Sequence, residues 1–211
     1  RNGLDERGLI CSSLAVDEGY VWGRTDDEAE REACYKVAWE NLRAGAILGA
    51  KLVRIDAGGA NQATEWSNEA FDFIVKRYRE YCQFAQDNGF KVGPEVHWGP
   101  ETYFSNMKKL VEGVNHTSFG ILEMINSFKG TPEEKRAADK EAAKWSCATH
   151  FSWNVCADDA MLEERMGFLR DAGYQILFGI EHHSAKNEYA NTGIQVAKVR
   201  AVLEKWRMGI A

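Results

Sequence analysis

Residues 91–100 read KVGPEVHWGP. The stretch opens as a short apolar run, then sets Glu95, His97 two places later, and a glycine and proline directly after. On an extended strand, residues two apart share a face, so Glu95 and His97 are expected side by side where the chain turns. One such ending means little, and its weight depends on whether other strands end the same way.

Working outward, strand-like runs alternate with helix-patterned ones. GLICSSLAV (8–16) precedes the acidic, helix-spaced 26–49, which closes on Gly49. KLVRIDAGG (51–59) precedes a helix over 69–89 that ends in Asn-Gly. After 90–99 come a helix near 101–114, the strand SFGILEMIN (118–126) and a helix over 131–145 with a proline at its start. SCATHFSWNV (146–155) precedes a helix over 158–173, and YQILFGIEHH (174–183) precedes a helix near 188–207. Strands separated by helices of this length predict parallel βα units in one domain over 1–211. Both an open doubly wound sheet and part of a (β/α)8 barrel suit six such strands. No strand opens a GxGxxG or GKS/T loop, which disfavours nucleotide binding.

The strand ends repeat the pattern of 91–100. Arg54 and Asp56 share a face in LVRIDAG, Glu123 stands inside the apolar ILEMIN, His150, Ser152 and Asn154 share a face in THFSWNV, and Glu181 and His183 do so in GIEHH. A parallel strand covered on both faces should read almost continuously apolar. Isolated buried charges cost several kcal/mol each unless they are paired or hold a metal, and ligands of parallel α/β folds bind at the carboxyl ends of strands. Singly, each residue has a plain reading: a charge reaching solvent, an ion pair of Arg54 with Asp56, a rim histidine at His97 or His183, packing tryptophans at Trp98 and Trp153. Their recurrence at five successive strands is what points to a site. Glu95, Glu123, His150 and Glu181 together would make a hard, oxygen-rich metal site. It suits Mn2+ or Mg2+ before Co2+ or Zn2+.

The bulk properties bound the partners. The 211 residues carry a net charge of −6 with no lysine–arginine block, which disfavours nucleic acid and anionic membranes. No apolar run approaches the roughly 20 residues of a membrane helix. Five scattered cysteines without a CxxC pair fit reduced thiols in a cytoplasmic protein.

The order LGAKLVRIDAGG, GPEVHWG, GILEMIN, THFSWNV, GIEHH resembles the xylose isomerase-like TIM barrel superfamily, the sugar phosphate isomerase/epimerase group, over nearly the whole chain. LVRIDAGG and GPEVHWG are its most specific pieces. The resemblance implies metal ligation by Glu95, Glu123, His150 and Glu181, proton transfer by Glu95 and Glu181, and substrate contact by Arg54, His97 and His183. Two departures stand out: the family's sixth-strand ligand is usually aspartate where Glu123 stands, and Ser152–Trp153 lacks the usual lysine or acid after His150. Matching GLICSSLAV to the third barrel strand implies an (β/α)8 barrel that lacks its first two βα units in this chain, since six such strands cannot close it.

These features imply a divalent-metal-dependent isomerase or epimerase of a sugar, sugar phosphate or polyol. A small-molecule carbohydrate is the expected partner, with homo-oligomerisation left open. A keto-polyol dehydratase or lyase on the same fold and a non-catalytic sugar-binding barrel are the alternatives. An apurinic endonuclease is disfavoured by the acidic charge and by only five histidines.

Overall fold

Four of the helices start where the sequence supplies a side-chain cap. Asp27 accepts the Ala29 N–H at 2.8 Å and opens α2 (Glu28–Leu48), whose first turn sets Glu28 and Glu30 against the helix dipole; α2 ends at Gly49, with φ of 70°. Ser67 caps α3 (Asn68–Asp87) through the Ala70 N–H. Thr131 and Glu134 form a reciprocal capping box on α5 (Pro132–Ala142), and Asp158 caps α7 (Asp159–Asp171). The remaining helices are α1 (Asn2–Asp5), α4 (Phe104–Val114), α6 (Trp153–Ala157) and α8 (Glu188–Arg207). These assignments come from a computed structural model that describes residues 1–25, 27–183 and 186–210.

Between the helices run β1 (Ser13–Ala15), β2 (Leu52–Arg54), β3 (Lys91–Gly93), β4 (Ile121–Met124) and β5 (Ser146–His150). β1, β2 and β3 pair in parallel, as do β4 and β5. Parallel bridges Val92↔Phe119 and Glu95↔Leu122 join β3 to β4, and Phe151↔Ile180 carries the order one segment past β5. The strands therefore stand side by side in chain order, each followed by helix.

Side-chain alternation separates two of the three clusters that make up the core; the third gathers Ile125, Phe151, Met166 and Val202. Val53, Ile55, Val92 and Ile121 pack outward with the helical residues Leu42, Ile74, Tyr78 and Leu110. Leu52, Leu122, Cys147 and Ala148 meet on the other face, the inside of the arc. Arg54 follows Leu52 by two and Glu123 follows Ile121 by two, so Arg54 belongs to the inner face and Glu123 to the outer one. Gly93 is needed where β3 passes β4, because a Cβ there would lie 1.7 Å from the carbonyl oxygen of Gly120. Among the described residues, no helix is long and apolar enough to cross a membrane.

Three expected strands differ from the structure. GLICSSLAV pairs only over Ser13–Ala15. The strand expected over 146–155 stops at His150, because Ser152 becomes the N-cap of α6 and accepts the Cys156 N–H at 3.1 Å; Ser152 and Asn154 thus leave the strand face. The stretch 174–183 forms a single bridge at Ile180. Phe151 exchanges backbone hydrogen bonds with Gly179 and Glu181, whereas the Gly179 N–H turns to the Thr149 hydroxyl.

Candidate functional site

The inner face of the arc brings three ionisable side chains together at the strand ends. Glu95, two residues past β3, bridges to Leu122; His150 is the last residue of β5; Glu181 follows the bridge at Ile180. One ligand-type atom from each lies within 4.8 Å of the others. His150 Nδ1 is 2.8 Å from Glu95 Oε1 and 3.5 Å from Glu181 Oε1.

Glu95 is wholly buried, and its charge is supported from several sides. Arg54 donates from Nη1 to Glu95 Oε2, His97 Nδ1 stands 3.6 Å from the same oxygen, and the Glu95 N–H donates to Asp56 Oδ1 at 3.0 Å. Burial alone would raise the Glu95 pKa, but the imidazoles of His150 and His97 and the Arg54 charge outweigh it and hold the carboxyl well below its ordinary range. The Glu95 carboxylate in turn raises the His97 pKa against the opposing effect of burial.

Glu181 differs. Its Oε2 is buried with no hydrogen-bond partner, while Oε1 receives His183 Nε2 at 2.9 Å. A buried, unpartnered carboxylate oxygen beside a second carboxylate and an imidazole is an arrangement that a cation would satisfy. Two carboxylates and one histidine form a hard donor set of the kind that suits Mg2+ or Mn2+.

The other expected residues divide. His97 borders the cluster, stacked on Trp98 at 4.1 Å, and lines a cavity of about 420 Å3 with Asn61, Gln62, Thr102, Tyr103 and Lys129. His183 lies on the other side, at a cavity of about 290 Å3 shared by Met124, Ser152, Trp153, Asn154, Glu181 and His182. Arg54 lines neither of these two cavities. It is buried, and its two terminal nitrogens donate to Glu95, Asp17 and the Val16 carbonyl, so it braces Glu95. His182 has its imidazole Nε2 3.5 Å from Glu188 and meets Trp153 edge-on.

Glu123 is the main correction, because it is not brought to the cluster. Wholly buried on the outer face, it takes a hydrogen bond from the Ser146 hydroxyl. Behind it lies Asp139, which is paired with Arg165 at 2.8 Å and accepts the Asn126 N–H. Burial pushes the Glu123 carboxyl well above its ordinary pKa and the Asp139 charge adds to this, opposed by Ser146 and Arg165. Glu123 therefore faces Ser146 on the helix side and is turned away from the cluster of Glu95, His150 and Glu181.

Two further groups escaped the sequence reading. Asp17 meets the outer end of the Arg54 guanidinium. Glu101, read as the start of a helix, lies in a short 3-10 turn over Gly99–Thr102, wholly buried, and accepts the Ala57 N–H. Burial and the neighbouring Asp56 charge raise its pKa well above the ordinary value. The Pro-Glu step after a strand end was the one signal available for Glu101.

The family description that matches residues 1–201 is the xylose isomerase-like TIM barrel, and the chain belongs to that family. No curated protein matches the chain in sequence. Among solved structures, a xylose isomerase-like TIM barrel protein from Mycobacterium smegmatis in complex with magnesium superposes with a TM-score of 0.73 at 16% identity, covering 100% of this chain and 78% of that one. An L-ribulose 3-epimerase gives 0.75 at 11% identity, with 100% and 82% covered. The apo form of a 3-keto-D-glucoside 4-epimerase from E. coli gives 0.69 at 15% identity, with 95% and 82% covered. At these identities the likeness establishes the fold: an α/β TIM barrel, with the cluster at the carboxyl ends of its strands.

Proposed function

We propose that the protein is a divalent-metal-dependent isomerase or epimerase acting on a sugar, sugar phosphate or polyol. The single observation that carries this reading is the convergence of Glu95, His150 and Glu181 at the strand ends, within a family fold whose similar structures include sugar epimerases. Glu95, His150 and Glu181 would hold the metal. Bound there, Mg2+ or Mn2+ would supply Lewis-acid polarisation of a carbonyl or of vicinal hydroxyls.

The chain's own groups account for the proton movement. Glu181 has an oxygen without a hydrogen-bond partner, and it is the carboxylate suited to take a proton from the carbon next to the substrate carbonyl. Glu95, fixed by Arg54 and His150, stands across His150 from Glu181; on taking a proton from solvent it would deliver that proton to the same carbon from the opposite face or to the neighbouring carbon, while Glu181 gives its own proton up to solvent. Return to the same carbon gives an epimer; return to the neighbouring carbon gives an aldose–ketose pair. His97 and His183 would bind hydroxyls from the two flanking cavities. Arg54 acts through Glu95 and is a positioning residue.

Incubation with Mn2+ and a panel of ketoses and aldoses in D2O, followed by NMR, tests the reading. Isomerisation or epimerisation with solvent deuterium at the carbon next to the carbonyl is the expected result. Loss of water from the substrate would mark a dehydratase on the same site. Binding of metal and sugar with no conversion anywhere in the panel would make the protein a sugar-binding barrel and overturn the enzyme reading.

A further inference from the structure

β4 lies between β3 and β5 in the arc, so one of its side chains borders the cluster formed by Glu95 and His150. That side chain is Met124. It pairs with His150 across the parallel ladder, and paired residues of neighbouring strands present side chains to the same face. Met124 also lines the cavity of about 290 Å3 that holds Glu181. The carboxylate next to it in sequence, Glu123, is turned outward to Ser146.

We infer that Met124 closes the β4 side of the cation site with a non-ligand, leaving it three protein ligands and a weak, exchangeable hold on the ion. This rests on the cluster being a metal site, as proposed above. Mg2+ prefers six hard ligands, and a neutral thioether is a poor donor to Mg2+ or Mn2+. Three side chains therefore leave several positions to water or substrate oxygens. Glu95 shares its charge with Arg54, which engages its Oε2. Residue 124 is consequently where the affinity of the site is set. A hard oxygen there would face the ion from the same side of the sheet as His150, whereas another apolar side chain would change nothing.

Calorimetric titration of Mn2+ into chelator-stripped protein tests this without any turnover. Met124→Asp should bind Mn2+ at least about tenfold more tightly than wild type, about 1.4 kcal/mol. Met124→Gln, a neutral near-isostere with an oxygen donor, should show a smaller gain and covers the case in which the aspartate variant fails to fold. Met124→Leu should match wild type within about twofold. Unchanged affinity in both oxygen-bearing variants would overturn the inference while leaving the metal site intact. A tenfold loss in Met124→Leu would also overturn it, by making the sulfur a ligand. If wild type and every variant take up no Mn2+, the metal reading falls together with it.

Discussion

Arg54 holds Oε2 of Glu95 inside the protein, the guanidinium only 4% exposed and the carboxylate wholly enclosed. Each charge is the other's fully buried partner, although His150 and His97 also face Glu95 and Asp17 also meets Arg54. Removing one partner of a buried ion pair costs about 3–5 kcal/mol, because the other is left uncompensated. Arg54→Met should therefore lower the free energy of unfolding by an amount in that range, read from urea midpoints. A loss below about 1 kcal/mol would mean that Glu95 finds other support. Activity should fall as well, since the substitution frees a carboxylate that Arg54 otherwise fixes.

Glu181 offers the complementary case, with activity lost and the fold kept. It is a fifth exposed, at 20%, and one of its oxygens has no hydrogen-bond partner. Glu181→Gln should reduce kcat between about 100- and 10,000-fold, as loss of a proton-transferring group does, with the unfolding midpoint nearly unchanged. Turnover that survives within tenfold would remove Glu181 from the proton path.

Glu123 predicts a pH dependence that has nothing to do with activity. Its folded pKa lies above the unfolded value because of burial and the Asp139 charge. The stabilisation that its proton provides is complete below the unfolded pKa and is lost as pH rises through the folded one. Glu123→Gln cannot titrate, so its stability relative to wild type should improve as pH rises above about 4.3, by up to about 1.4 kcal/mol per pH unit. Urea unfolding of both proteins at pH 5, 6 and 7 measures the slope. A difference that stays constant across this range would show that Glu123 is ionised in the fold.

Metal should stabilise the folded chain by mass action. With Mn2+ at 100 times its dissociation constant, unfolding should require about 2.7 kcal/mol more than after chelation. Glu95→Gln should abolish most of that gain. A Mn2+ effect of equal size in Glu95→Gln would place the ion elsewhere.

How much of this was legible in the sequence depends on the residue. The βα alternation and the clustering of Glu95, His150 and Glu181 could be read because helix-patterned runs separate their segments, which makes neighbouring strands parallel and brings their carboxyl ends to one side. Glu123 was misjudged for a reason inherent to strands: its face depends on register, and a one-residue slip exchanges inside for outside. The extra residue in the ladder is Cys147 on β5, so β4 alternates regularly, and nothing in GILEMIN announces which of its two faces turns inward. The alternation itself held, since counting by two from the inward Leu122 reaches Met124. His97 and Glu95 do meet, though not on a regular strand: β3 ends at Gly93, and the His97 N–H turns back to the Glu95 carbonyl at 3.0 Å. Arg54 looked ready for substrate because a sequence does not show which charges a neighbouring strand has already claimed.

Anomalous diffraction from a crystal grown with Mn2+ tests the central claim most directly. One strong peak is predicted, at about 2–2.3 Å from a carboxylate oxygen of Glu95, Nδ1 of His150 and a carboxylate oxygen of Glu181, with Met124 beside it and Glu123 outside its shell. A well-occupied Mn2+ elsewhere with none between these three side chains would contradict the account.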